Sequence, residues 1–105
     1  MLSLKSNVKL DPISPQIVLA IMVCQSIYDY WKFDCVITSM NDSKHSDRSL
    51  HYTGNAFDLR TKNLPKNYKD KIFLEIKQSL TEDFDVIFEG RGTVNEHIHV
   101  EYDPK

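Results

Sequence analysis

The chain has 105 residues, of which 41% are hydrophobic and 27% are charged, so its composition is that of an ordinary globular protein. This length predicts a single domain that spans residues 1–105. A formal net charge of −2 and a pI near 6.0 argue against nucleic acid or an anionic membrane as the main partner.

The N-terminal residues do not look like a targeting segment. They lack the basic stretch and the long apolar run of a secretion signal, and the most apolar stretch, 17–24, is too short to span a bilayer. We therefore expect a monomer that is cytoplasmic as synthesised and makes no membrane contact. Another factor would have to release it to reach a substrate outside the cell.

The first predicted element is a helix. Ser14 suits the N-cap and Pro15 suits the first helical position. Apolar residues then recur at helical spacing up to an aromatic cluster at 28–31, which we interpret as core and rim packing. Cys24 and Cys35 do not make a disulfide framework, and we expect both to be free, buried thiols.

Four strands and a second helix are predicted beyond the first helix. The strands are expected at 35–39, 55–61, 84–89 and 97–103. Pro65 begins the second helix, and its lysines are expected on a solvated face: Lys66, Lys69, Lys71 and Lys77. A glycine turn at 90–92 joins the last two strands into a hairpin. This order predicts an α+β fold with a small, mainly antiparallel sheet flanked by two helices.

Two stretches carry residues suited to catalysis. The first reads S-x-H-x-x-G-x-A-x-D and ends at Asp58, and the second is E-H-I-H and ends at His99. His51, Asp58 and His99 make a set of two histidines and one carboxylate, which suits zinc (Zn2+) with one position left open. Glu96 is then free to accept a proton from the attacking water.

The spacing within the first stretch requires a bend. His51 and Asp58 are seven residues apart, an odd number, so on one continuous strand they would face opposite sides. Gly54 is placed for the bend. Past it, apolar and polar residues alternate along both predicted strands, which aims Asp58 and His99 at one point. Arg60 shares the side of Asp58, and we interpret it as the partner of an acid.

These stretches resemble the metal motifs of the zinc D-Ala-D-Ala carboxypeptidase and L-alanyl-D-glutamate endopeptidase family, which shares its fold with the hedgehog signalling domain. Family members carry H-x(6)-D, often within S-x-H-x-x-G-x-A-x-D, and later E-x-x-H or H-x-H. The resemblance covers most of the chain. It implies His51, Asp58 and His99 as zinc ligands and Glu96 as the catalytic base. His97 matches the first histidine of H-x-H, which lies near the substrate oxygen.

A polar loop follows Ser39 and is predicted to line the cleft. In the family the equivalent segment often reads S-G-Y-R, and its arginine helps to hold the substrate. That arginine is missing here. Lys44 and Arg48 are the candidates to replace it, and Ser49 is a further candidate to bind substrate or to hold the neighbouring ligand. His45 is interpreted as a solvated loop residue.

The resemblance implies zinc-dependent hydrolysis of peptide bonds in bacterial peptidoglycan stem peptides. The activity would be that of an L,D-endopeptidase or a D-Ala-D-Ala carboxypeptidase, in a compact phage-type endolysin. Two alternatives stay open. One is a non-catalytic, zinc-stabilised protein-binding module of the same fold, and the other is zinc hydrolysis of another amide or small peptide. The presence of Glu96 favours an enzyme.

Overall fold

A computed structural model of the chain describes residues 1–8, 13–41 and 55–104. In chain order its elements are β1 (Leu2–Leu4), α1 (Pro15–Tyr30), β2 (Cys35–Asn41), β3 (Ala56–Arg60), α2 (Lys66–Ser79), β4 (Phe84–Glu89) and β5 (His97–Tyr102). The strands form one sheet in the order β1-β2-β3-β5-β4. Among the described strands, β1 pairs in parallel and the other neighbours pair antiparallel. The predicted α+β class, with two helices and a mainly antiparallel sheet, is confirmed.

The short strand β1 is the element that the sequence pattern did not predict. It has three residues, too few for alternation to register. It pairs with the start of β2, Leu2 opposite Cys35 and Leu4 opposite Ile37. The N–H of Lys5 extends this pairing by donating to the carbonyl of Ile37 at 2.8 Å. The sheet is therefore mixed, and its N-terminal strand places Lys5 beside β2.

The first helix begins as its capping residues predict. Ser14 Oγ accepts a hydrogen bond from the N–H of Ile17 at 3.3 Å, and Pro15 occupies the first helical position. Further along, the hydroxyl of Tyr28 donates to the backbone carbonyl of Arg60 at 3.0 Å. This bond ties α1 to the end of β3. In the described part of the chain, neither helix has both the length and the apolar character needed to cross a membrane.

The hydrophobic core lies between the two helices and one face of the sheet. Phe57 and Leu59 of β3 and Ile98 and Val100 of β5 are fully buried there, as the alternation predicts. The residues between them point to the other side, because successive side chains of a strand alternate. We call this side the open face of the sheet; in β3 and β5 it carries Asp58, Arg60, His97, His99 and Glu101.

Both cysteines are free and buried, as expected. Burial raises the pKa of the Cys24 thiol well above its ordinary value and raises that of Cys35 to about 12. A thiol must lose its proton to act as a nucleophile or a metal ligand. Cys24 and Cys35 therefore serve the core and take no part in the chemistry of the open face.

The two faces of the sheet predict a contrast between two isoleucines. Ile98 is fully buried, whereas Ile87 of β4 lies opposite His99 and is 45% exposed. We expect Ile98→Ala to lower the free energy of unfolding by ~2–5 kcal/mol, because it leaves a cavity in the core. Ile87→Ala should change it by about 1 kcal/mol at most. Urea denaturation measures both, and equal losses would contradict this assignment of faces.

Candidate functional site

The register between β3 and β5 sets two of the predicted zinc ligands side by side. Asp58 and His99 are direct cross-strand partners, and both side chains lie on the open face. Atom Nδ1 of His99 is 2.8 Å from Oδ1 of Asp58. The alternation along both strands predicted that these two residues would meet, and the structure confirms it.

The other ring nitrogen of His99 also meets a carboxylate. Atom Nε2 lies 3.1 Å from Oε1 of Glu101, two residues further along β5. The hydrogen bond with Asp58 is the main reason why the pKa of His99 is raised to about 9; burial opposes the rise, and Glu101 adds to it. Both ring nitrogens face oxygen acceptors, an arrangement that favours the protonated form of the ring.

The chemistry of this pair fits a zinc ion. An imidazole nitrogen and a carboxylate oxygen that face each other are both zinc ligands. The contact with Glu101 adds a feature typical of metal-bound histidines, whose second nitrogen usually meets a carboxylate or a carbonyl. A metal at Nδ1 of His99 would replace the proton that now lies between His99 and Asp58.

The third predicted ligand, His51, lies outside the described residues, and so do the predicted substrate-binding residues Ser49, Lys44 and Arg48. Within the ranges 1–8, 13–41 and 55–104, no three side chains of His, Cys, Asp or Glu form a group that could hold a metal. The structure thus brings together two of the three predicted ligands, Asp58 and His99, and His51 stays a prediction.

His97 lies on the same face as His99, as predicted. Its Nδ1 donates to the carbonyl of Asn95 at 2.6 Å, and its Nε2 is 2.8 Å from Oε1 of Glu89 and 3.8 Å from Oδ1 of Asp58. Burial lowers the pKa of His97, but the bond to Asn95 and the nearby charges of Asp58 and Glu89 outweigh it and raise the pKa overall. The ring of His97 thus lies between the carboxylates of Glu89 and Asp58, and it must leave Glu89 to reach a substrate oxygen.

Glu96 joins three separate segments of the chain. Its Oε1 accepts hydrogen bonds from the hydroxyl of Thr61 at 2.5 Å and from the ammonium group of Lys69 at 2.7 Å. Its Oε2 accepts one from the N–H of Gly92 at 3.1 Å. Thr61 follows β3, Lys69 belongs to α2 and Gly92 lies in the turn between β4 and β5. We call these four residues the Glu96 cluster.

The Glu96 cluster holds its carboxyl group in the ionised form. Burial raises the pKa of Glu96, but the bonds from Lys69, Thr61 and Gly92 outweigh burial and lower it to about 2. The prediction of a solvated lysine face is wrong for Lys69, whose side chain is only 23% exposed and reaches to Glu96. No local pattern predicts this contact, because the two residues are 27 positions apart in sequence.

Asp58, Glu96 and His97 line a common cleft of about 670 Å³. This volume lies within the ~300–1,000 Å³ typical of sites for small ligands. Three cationic side chains, Lys5, Arg60 and Lys62, also line the cleft. Sequence reasoning treated Arg60 only as the partner of an acid and missed both lysines. The position of Arg60, two residues after Asp58, was a usable signal, because it puts both side chains on one face.

No protein-family model, curated protein or solved structure matches this chain. The interpretation of the cleft therefore depends on the two motifs and on the contacts that the fold creates between them. Among these contacts, the 2.8 Å approach of His99 to Asp58 links the two motifs directly.

The Glu96 cluster predicts a loss of stability in acid. Because the pKa of Glu96 falls from 4.5 to about 2 on folding, its stabilising effect is full above about pH 4.5 and disappears as the pH falls through about 2. Lys69→Met removes the main cation. It should lower the free energy of unfolding near neutral pH by roughly 1–3 kcal/mol, less than for a fully buried pair, because Lys69 is partly exposed. It should also flatten the dependence of stability on pH below 4.5.

Lys66→Met is the matched control, because Lys66 is an exposed lysine at the start of the same helix. It should change the free energy of unfolding by no more than about 0.5 kcal/mol. Urea denaturation at a series of pH values gives both quantities. Identical curves for the two variants would show that the ion pair of Lys69 and Glu96 does not stabilise the fold.

Proposed function

We propose that this chain is a zinc-dependent metallopeptidase with the hedgehog/DD-peptidase fold, and that it hydrolyses peptide bonds in bacterial peptidoglycan stem peptides. One observation carries the proposal. Asp58 and His99 end two motifs that lie 41 residues apart in sequence, yet His99 Nδ1 and Asp58 Oδ1 are 2.8 Å apart. The fold thus brings the ends of the two motifs to one point on the open face, as a shared metal site requires.

In this proposal Asp58, His99 and His51 hold the metal, and Glu101 fixes the ring of His99 through Nε2. Bound zinc supplies Lewis acidity toward a carbonyl oxygen and toward the attacking water. His97, whose Nε2 is 3.8 Å from Asp58, would donate a hydrogen bond to the substrate oxygen on which negative charge develops.

Glu96 is the proposed proton acceptor. Its Oε1 already accepts two hydrogen bonds, from Thr61 and Lys69, whereas Oε2 accepts one from Gly92 among the described residues. The proton of water would therefore go to Oε2. A carboxyl group with a pKa of about 2 is a weak base but a strong acid. It would return the proton readily to the nitrogen of the leaving amine.

The Glu96 cluster also favours a second candidate function. A carboxylate bound by Lys69 and Thr61 is a cross-link between α2 and the end of β3, and its low pKa gives it little affinity for a proton near neutral pH. The alternative is a non-catalytic, zinc-stabilised module that binds a peptide in the cleft. Zinc would then contribute to folding alone.

Of the two bonds that this family cleaves in wall peptides, we favour the internal L,D bond. The reason is that the family's arginine, which helps to hold the substrate, has no counterpart in M-N-D, the three residues that follow Ser39. Lys44 and Arg48 stay candidates for that role. The enzyme would act as a phage-type endolysin or an accessory peptidase, after another factor releases it to the wall.

The first test is the metal itself. The purified protein, loaded with zinc and dialysed, should hold about one zinc per chain by elemental analysis. Asp58→Ala, His99→Ala and His51→Ala should each lose the metal and some stability, because the ligands come from separate segments. The matched control is His45→Ala, which should keep the metal. A wild-type protein that holds no zinc after loading would end the proposal.

The second test is hydrolysis. The zinc-loaded protein should cut a synthetic stem peptide after its first residue, and mass spectrometry of the products identifies the bond. Glu96→Gln should retain zinc and lower the rate by ~10²–10⁴-fold, because the amide cannot accept the proton. Release of free D-Ala would instead identify a carboxypeptidase.

Glu96→Gln also leaves Lys69 without its charge partner and can weaken the fold. The double variant Glu96→Gln/Lys69→Met removes both charges and keeps the test decisive if the single variant unfolds. A zinc-loaded wild type that cleaves no wall peptide would favour the binding module. A glutamine variant that keeps zinc and cleaves at the wild-type rate would remove Glu96 from the mechanism.

A further inference from the structure

We propose that Lys5, Arg60 and Lys62 form a carboxylate-binding site in the cleft, near the candidate metal centre. This site selects peptides that carry a free carboxylate. The inference rests on the proposed function for one point, that the ligand is a peptide. It deepens that function by naming the charge that the substrate must bear. None of these three residues belongs to either of the two sequence motifs.

Of the three cations, Arg60 is the one that belongs to a strand of the proposed metal site. It lies two residues after Asp58 on β3, so both side chains project from the open face, and its cross-strand partner is His97. The backbone of Arg60 is anchored from the opposite side of the sheet, where the hydroxyl of Tyr28 donates to its carbonyl. The backbone of Arg60 is thus held in place, and its side chain leaves the strand on the same face as those of the proposed ligand Asp58 and of His97.

The two lysines reach the cleft from different segments. Lys5 follows β1, and its N–H bonds the carbonyl of Ile37 in β2. Lys62 lies in the connection after β3, which is held by two bonds: the N–H of Leu64 donates to the carbonyl of Thr61 at 2.9 Å, and the side-chain amide of Asn63 donates to the carbonyl of Asp34 at 2.9 Å. Both lysines line the same cleft as Arg60.

Among the residues of the cleft that the structure describes, cationic side chains outnumber carboxylates. The two carboxylates already have partners, since Asp58 is 2.8 Å from His99 and Glu96 is 2.7 Å from Lys69. Among the described residues, the side chains of the three cleft cations form no ion pair: Lys5, Arg60 and Lys62. Cations that converge on a concave surface without an acidic partner create a positive potential that attracts an anionic ligand.

A carboxylate is the anion that fits both the cations and the proposed substrate. Guanidinium groups bind carboxylates through two parallel hydrogen bonds, and lysines add charge without a fixed direction. Stem peptides are rich in carboxylates. A peptide carboxylate held by Arg60 would keep the neighbouring carbonyl close to Asp58, because both side chains leave the same face of one strand, two residues apart.

The test compares two ligands of nearly equal shape. The probes are N-acetyl-L-alanyl-D-glutamate and its diamide, titrated into the 105-residue chain by calorimetry with a chelator present, so that the L,D bond of the probe is not cut during the measurement. Wild type should bind the carboxylate form roughly tenfold or more tightly than the diamide, the size expected of a charge-assisted hydrogen bond. The preference should shrink as salt is added.

Arg60→Gln and Lys62→Gln should each reduce this preference, and Arg60→Gln should remove most of it. The matched control is Lys77→Gln, which removes one positive charge from an exposed site near the end of α2. It should leave the preference unchanged. Lys62 is exposed, so Lys62→Gln should not weaken the fold. It can therefore test the site even if Arg60→Gln unfolds the protein.

Two results would overturn the inference: equal affinity of wild type for both probes, or equal effects of Arg60→Gln and Lys77→Gln. The outcome is separable from that of the proposed function. If the protein holds no zinc but still prefers the carboxylate probe, the anion site is supported and the proposed peptidase activity is rejected. If the protein cleaves wall peptides but binds both probes equally, the proposed peptidase activity is supported and the anion site is rejected.

Discussion

The antiparallel register between β3 and β5 is the constraint on which the site depends. It places Asp58 opposite His99 and, one position away, Phe57 opposite Val100 in the core. A slip of one residue would turn every side chain of the strand to the wrong face. Burying a large apolar side chain is worth ~1.5–3 kcal/mol, so the core holds the register far more firmly than the polar pair could. The chemistry of the open face is thus fixed by the packing on the other face.

Much of this arrangement was predictable from sequence because it follows local periodicity. The alternation along β3 and β5 predicted which side chains point to the core and which point to the open face. The bounds of β4 agree with the predicted strand at 84–89. The start of α1 followed from Ser14 and Pro15, a cap that a few adjacent residues determine. The meeting of Asp58 with His99 followed once both strands were placed in one sheet.

The features that escaped prediction depend on contacts between distant segments. Strand β1 is too short to show a pattern and is defined by its pairing with β2. In the sequence, Lys69 cannot be distinguished from the other lysines of an amphipathic helix. Only the tertiary structure shows its contact with Glu96. The same holds for Lys5 and Lys62, whose place in the cleft depends on how β1 and the connection after β3 run past the open face.

The distance in sequence between Asp58 and His99 has a consequence for how the protein folds. Asp58 lies in β3, before α2, and His99 lies in β5, after it. Bringing the two together closes a loop of 41 residues, and only the completed sheet offsets the entropic cost of that closure. Non-local strand pairing of this kind slows folding relative to helix formation. Asp58 and His99 therefore meet only when β3 and β5 have paired. In the function that we propose, the zinc site would be complete only at that stage of folding, and the uptake of metal would report on the docking of β5.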